Sequence, residues 1–343
     1  MTDIYFRVDG NHTIATGHLM RCLSIARACA RLLRKSGAPS NISFLVSDEE
    51  SLALLEERFD TPSEFPVLCL HSNYQDMMAE LPRLTALLPD KKCWLFVDSY
   101  YATPAYFHAL SGFCQVAYLD DLRSFACDVD LLINYDTDED CPYYANARKK
   151  LLGVRYTPLR RQFQQPAYEV RPQVTDILLS TGGTDPYGMA LSLIKTLPQG
   201  TYDYHILTSS ANSRYRELED AAHVNDRIHI HQGISDMAAL MASCDLAVSA
   251  GGTTLCELCA VGVPTISYLM ADNQQMAVNT FSRENLIPYA GDIRQDEDVL
   301  SRISSFVTFM SQNIDSRKKS SHAMRAFLDG CGAEHIASQL VTA

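Results

Sequence analysis

The chain has 343 residues, 47% of them apolar, with 41 acidic against 29 basic side chains and a net charge of −12. That length suggests two domains of roughly 100–200 residues, each able to bury a core, and the apolar fraction excludes disordered and fibrous classes. The negative balance argues against an electrostatic footprint for nucleic acid or membrane, so an anionic ligand has to be held locally by helix starts, glycine loops or a few arginines.

No run approaches the roughly 18 apolar residues of a membrane span. The opening residues include Asp3, Arg7 and Asp9 and do not read as a secretory leader, so a cytoplasmic protein is expected. The 11 cysteines are scattered and odd in number, which reads as reduced thiols rather than a disulfide framework.

In chain order, β-rich runs fall at Ile4–Val8, Ile42–Val46, Val67–Leu70, Trp94–Asp98, Gln115–Leu119 and Leu131–Asn134. A second series follows at Ile177–Ser180, Tyr204–Leu207, Ile228–His231, Leu246–Ser249 and Thr265–Tyr268. Most are continuous apolar runs, as expected of strands covered on both faces. Amphipathic helical patterns separate them, the clearest at His18–Lys35, and the chain reads as helical from Asp296 onward. The expected fold is α/β, with two doubly wound, Rossmann-like domains facing a cleft. The domains are placed at 1–161 and 176–343, the second ending in a helical tail, and the polar stretch 162–175 is read as a linker.

Three glycine-containing turns follow predicted strands. The first, Ile14-Ala15-Thr16-Gly17-His18, leads into the long helix and leaves His18 in its first turn. A helix start disfavours imidazolium, so this ring is expected to be neutral and able to accept a proton, although an ordinary polar histidine fits the spacing too. Asp9, just past the first strand, is one candidate to orient it. The second turn is Ser180-Thr181-Gly182-Gly183-Thr184-Asp185-Pro186, and the third is Ser249-Ala250-Gly251-Gly252-Thr253-Thr254. Paired glycines let backbone N–H groups approach an anion, yet neither turn is a Walker A loop and neither matches Gly-x-Gly-x-x-Gly. Glu257, about one turn into the following helix, can accept from a ribose diol. Cys256 and Cys259 lack a second ligand pair at zinc spacing, and no carboxylate–histidine set argues for a metal or other cofactor.

Together these motifs resemble a known family. Phe6-Arg7-Val8-Asp9, Thr16-Gly17-His18-Leu19-Met20-Arg21-Cys22-Leu23, Val97-Asp98-Ser99-Tyr100 and Leu119-Asp120-Asp121 resemble the UDP-sugar hydrolases of pseudaminic acid biosynthesis. The resemblance continues through Leu152-Gly153-Val154-Arg155-Tyr156, Gly182-Gly183-Thr184-Asp185-Pro186, Ala250-Gly251-Gly252-Thr253-Thr254, Glu257-Leu258 and Ala271-Asp272-Asn273-Gln274. Ala15 departs from a frequent glycine, and Ser99 from a more polar or imidazole side chain.

The resemblance implies a two-domain glycosyltransferase-B fold and release of UDP from a 2,4-diacetamido-2,4,6-trideoxyhexose by inverting cleavage of the C1–O bond. It implies His18 as general base and Tyr100 and Asn273 near the sugar, with Asp9, Gly17 and Gln274 on the same side. Gly251, Gly252, Thr253 and Glu257 are implied to hold the nucleotide, and the turn at Gly182, Gly183 and Thr184 is the second anion loop. UDP leaves as a stable anion and needs no general acid, so one base plus backbone dipoles is sufficient, without metal. Transfer of the sugar to an acceptor hydroxyl is the competing reading, and a non-catalytic sugar-nucleotide module is the third.

Overall fold

A computed structural model describes residues 2–14, 16–37, 40–88, 92–164 and 166–341. It divides into two compact units, Met1–Arg160 with Cys331–Ala343, and Arg161–Gly330.

The first unit contains β1 (Thr2–Val8), α1 (Gly17–Ser36), β2 (Ser40–Val46), α2 (Glu49–Glu56), β3 (Val67–Cys69), α3 (Leu81–Leu87) and β4 (Trp94–Asp98). It continues through α4 (Pro104–Leu110), β5 (Gln115–Leu119), β6 (Leu131–Asn134) and β7 (Lys149–Leu152). The sheet order is β3-β2-β1-β4-β5-β6-β7, with every pair parallel. The chain therefore builds outward from β1, returns, and builds the other way from β4, which places a topological switch point between those two strands. Both faces of the sheet are covered. In β4, Phe96 joins the core beneath α1 with Phe6 and Phe44, whereas Leu95 and Val97 join Phe107 and Tyr118 on the other face. That two-sided burial is why the strand reads as an unbroken apolar run.

The second unit repeats the scheme with β8 (Asp176–Ser180), α5 (Met189–Thr196), β9 (Asp203–Leu207), α6 (Tyr215–Val224), β10 (Ile228–His231), α7 (Met237–Ser243) and β11 (Leu246–Ala250). Then follow α8 (Thr253–Val261), β12 (Thr265–Leu269), α9 (Gln275–Arg283), β13 (Tyr289–Asp292), α10 (Val299–Gln312) and α11 (Ile314–Phe327). The order β10-β9-β8-β11-β12-β13 puts the corresponding switch point between β8 and β11.

The structure departs from the sequence reading in three places. The final helix, α12 (Gly332–Val341), does not belong with the second unit. Its Ala333, Ile336, Ala337 and Leu340 are buried in one cluster with Leu19, Cys22, Leu23 and Ala26 of α1, and Glu334 pairs with Arg31. The stretch read as a linker is anchored in the second unit. Phe163, Tyr168 and Val174 are buried, and Gln162 accepts from the Ala238 amide at 2.9 Å and donates to the Ser235 carbonyl at 3.1 Å. Finally, β7 and β13 are strands the sequence did not announce. The first opens on two lysines and the second is Tyr-Ala-Gly-Asp, both at sheet edges where an apolar run is not required.

Candidate functional site

In the first unit the turn after β1 and the end of β4 lie side by side, because these strands pair with Val8 opposite Asp98. Thr16 stands at the N-cap of α1, but its side chain makes no capping bond. His18 sits in the first helical turn and is buried. Its Nδ1 lies 2.6 Å from Asp98 Oδ1. Arg21, one turn later, reaches the same carboxylate through Nε at 2.6 Å and Nη2 at 2.5 Å. It also donates to both Asp121 oxygens at 3.1 and 2.8 Å and to the Tyr135 hydroxyl at 2.6 Å.

Burial works against the charged form of Asp98, but Arg21 first and His18 next hold its carboxyl well below the ordinary carboxylate range. An ionised Asp98 can only accept, so Nδ1 of His18 donates to it, and in the neutral ring the lone pair then falls on Nε2. The 3.1 Å approach of Arg21 Nη2 to Nδ1 is then a close contact between two N–H groups rather than a hydrogen bond. No hydrogen bond to Nε2 forms among the described residues. The half-exposed Tyr100 sets its ring edge-on to the imidazole, with centroids 4.5 Å apart.

Around this pair the charges are crowded. Burial pushes the Asp121 carboxyl up, with the Asp98 charge adding and Arg21 opposing. Burial and Asp121 raise Asp136 to about 6. Sequence reasoning gave no role to Arg21, Tyr135 or Asp136, and it named Asp98 only as a strand end and within a motif.

Asp9 is not the residue that orients His18. It is buried, accepts from Arg7 Nη1 at 2.5 Å, and takes the Ser47 amide and hydroxyl at 2.6 and 2.8 Å. Arg7, fully buried, is held in turn by Glu80, which also accepts from the Tyr106 hydroxyl at 2.8 Å. Asp9 is thus an anchor for the end of β1. Gly17 is the first residue of α1, and a Cβ there would meet open space. Ala15 lies outside the described residues.

In the second unit the two glycine turns leave the adjacent strands β8 and β11, where Ser180 pairs with Ser249. Gly182, with φ +75°, Gly183 and Thr184 are exposed, while Thr181 Oγ1 is buried with no partner among the described residues. Asp185 is the buried brace of this turn, accepting from the Met189 and Ala190 amides at 2.8 and 3.0 Å. In the other turn, Gly252 is the N-cap of α8, so no side chain satisfies the helix-start amides. These N–H groups carry the positive end of the helix dipole and are suited to phosphate. A Cβ on Gly252 would meet nothing, whereas one on Gly251 would run into Val278 Cγ2 and come within 3.2 Å of Gln274 Cβ. Gln274 accepts from the Met270 amide at 3.1 Å, so it braces the loop that covers Gly251. Thr253 opens α8, and Glu257 lies half-buried one turn further along. Asn273 belongs to the turn Asp272–Gln274, and its side chain lies outside the described residues.

Residues 180–327, which include both glycine turns, match the glycosyltransferase family 28 C-terminal domain. An uncharacterized protein of Methanocaldococcus jannaschii is 23% identical over 275 residues, 75% of this chain and 54% of that protein. The spore coat polysaccharide biosynthesis protein SpsG of Bacillus subtilis is 22% identical over 196 residues, 55% of this chain and 57% of its own length. The chain thus spans little more than half the length of these curated relatives. Among solved structures, MurG of Acinetobacter baumannii aligns with a TM-score of 0.68 at 15% identity, covering 99% of both chains. The pneumococcal O-GlcNAc transferase GtfA, solved with UDP and GlcNAc, aligns with a TM-score of 0.61 at 11% identity, covering 100% of this chain and 99% of that one. These likenesses show the fold. The two parallel, Rossmann-like sheets are of the glycosyltransferase-B type, as the sequence led one to expect. Among the described residues no helix is long and apolar enough to cross a membrane.

Proposed function

We propose that the protein hydrolyses a UDP-activated 2,4-diacetamido-2,4,6-trideoxyhexose at the C1–O bond, releasing UDP and a free sugar for nonulosonic (pseudaminic) acid biosynthesis. The observation that carries this reading is the His18–Asp98 pair, a buried imidazole held in one tautomer with Nε2 left as a base. The family 28 domain supports a nucleotide sugar as the substrate class, and the motif resemblance supports this sugar in particular.

The reaction follows from the chemistry of the leaving group. His18 Nε2 takes a proton from water as the water oxygen bonds to C1. The bond from C1 to the diphosphate oxygen breaks with inversion, and UDP departs as an anion that requires no acid. The glycine-turn amides of Gly182–Thr184 and those of Gly252 and Thr253 bind the phosphates, Gly251 being held by its own amide on the Tyr268 carbonyl, and Glu257 accepts from the ribose hydroxyls. On the His18 side, Tyr100 and the backbone at Gly17 contact the sugar, and no metal takes part. The likeness to the pneumococcal O-GlcNAc transferase GtfA favours a second reading, in which an acceptor hydroxyl replaces water.

Incubation with candidate UDP-sugars in heavy-oxygen water tests both readings. Hydrolysis puts label on C1 of the free sugar and none in UDP, without any acceptor. Turnover only with an acceptor would replace hydrolysis by transfer, and label in UDP would refute attack at carbon. His18→Asn should lower turnover roughly 10²–10⁴-fold with UDP affinity nearly intact, and near-normal turnover would exclude His18 as the base.

A further inference from the structure

Strand β3 is the edge of the first sheet, on the far side of β2 from the switch point. Val46 pairs with Cys69, and the ladder continues as the Leu70 amide donates to Val46 at 2.7 Å and the Ser72 amide to Ser47 at 2.9 Å. Leu70 enters the core. Cys69 faces the opposite side, partly buried against the cluster beneath α1, and the turn at His71, with φ +47°, leaves that ring exposed beside it. On the neighbouring segment, Asp48 caps α2 by accepting from the Ser51 amide at 2.7 Å, which fixes Glu49 as the first helical residue above them.

Three chemically different donors converge there. Cys69 Sγ lies 3.4 Å from His71 Nδ1, and Nδ1 lies 3.6 Å from Glu49 Oε1. Ligand atoms of all three fall within 4.8 Å of one another. A tetrahedral zinc ion with its usual bond lengths holds sulfur and nitrogen about 3.5 Å apart, and nitrogen and oxygen about 3.3 Å apart. The donor spacings are already close to those of an occupied site.

We infer that Glu49, Cys69 and His71 form a binding site for one zinc ion, or a divalent metal of similar coordination, with water in the fourth position. The thiolate–imidazole–carboxylate set selects a borderline-soft transition metal over magnesium or calcium, which take oxygen ligands. The ion would tie the end of the edge strand to the start of α2, apart from the reaction assigned to His18.

The test uses the reduced full chain, stripped with chelator and titrated with Co²⁺ alone, then with Zn²⁺ in competition. A thiolate-to-cobalt charge-transfer band saturating at one ion per chain, and displaced by Zn²⁺, is expected. The band should vanish in Cys69→Ser and persist in Cys141→Ser, a partly exposed cysteine outside the cluster. Glu49→Gln and His71→Asn should weaken binding by more than the roughly 10–100-fold that loss of an outer-shell partner costs. Asparagine suits His71 because the backbone there has φ +47°. Zn²⁺ should also raise the Tm of the wild type and not that of Cys69→Ser. No thiolate band in the wild type, a band that survives Cys69→Ser, or unchanged affinity in both other variants would overturn the inference.

Discussion

Replacing Asp98 by asparagine separates the catalytic claim from the structural one. The carboxylate is fully buried and accepts from His18, from two nitrogens of Arg21, and from the Cys22 thiol at 3.5 Å. Removing one member of a buried ion pair costs about 3–5 kcal/mol. Arg21 keeps Asp121, so the lower end, about 3 kcal/mol, is expected. For a unit of this size that is a fall in Tm of about 6–12 °C. Trp94, the single tryptophan of the chain, is buried in β4 of the same unit and reports that transition by fluorescence. The pH dependence has a definite sign. Because the folded state holds the Asp98 carboxyl below its ordinary 3.8, its stabilisation is present above that pH and is lost as the pH falls further. The melting curves of wild type and variant should therefore converge in acid. Turnover at neutral pH should drop roughly 10²–10⁴-fold, because the asparagine amide can offer N–H to Nδ1 and favour the tautomer that protonates Nε2. Near-normal UDP release from a folded Asp98→Asn protein would refute the tautomer argument. An unchanged Tm would refute the burial argument.

Asp136→Asn should act in the opposite direction. Its carboxyl is raised to about 6, so the stability it contributes is present below 3.8 and lost as the pH rises through about 6. The variant should be more stable than wild type at pH 8 by up to about 3 kcal/mol, with no difference in acid, as read from Trp94 melting. The glycine pair at α8 should split. Gly252→Ala should fold normally and weaken UDP binding measured by calorimetry, whereas Gly251→Ala should lose about 1–3 kcal/mol of stability against Val278. Ile336→Ala, in the fully buried face of α12, should cost about 2–5 kcal/mol in the transition reported by Trp94, which only a helix seated on the first unit predicts.

Much of the architecture was legible because burial on both sheet faces leaves a local mark. Trp94–Asp98, Gln115–Leu119 and Leu131–Asn134 are each almost wholly buried and are continuous apolar runs in the sequence. Lys149–Leu152 and Tyr289–Asp292 leave no such mark, because an edge strand has a neighbour on one side only. The last helix was legible as a helix but not by destination. An amphipathic stripe states that a face is covered, not by what, and Ile336 and Leu340 meet α1 across most of the chain length.

The site divides along the same line. His18 could be singled out because strand, glycine turn and helix start are consecutive. Asp98 could not be given its role, because it stands 80 residues away and meets the ring only through the pairing of β1 with β4. Asp9 was one candidate by its place just past the first strand. Yet Arg7 and Asp9 are two residues apart at the end of an extended strand, on one face, so the arginine claims the carboxylate before any imidazole can. The second unit obeys the same rule. Each glycine turn is a local pattern, but their adjacency follows from β8 lying next to β11. In both units the chemistry-bearing turns gather where the strand order reverses. That reversal is a property of the whole sheet, which no window along the chain contains.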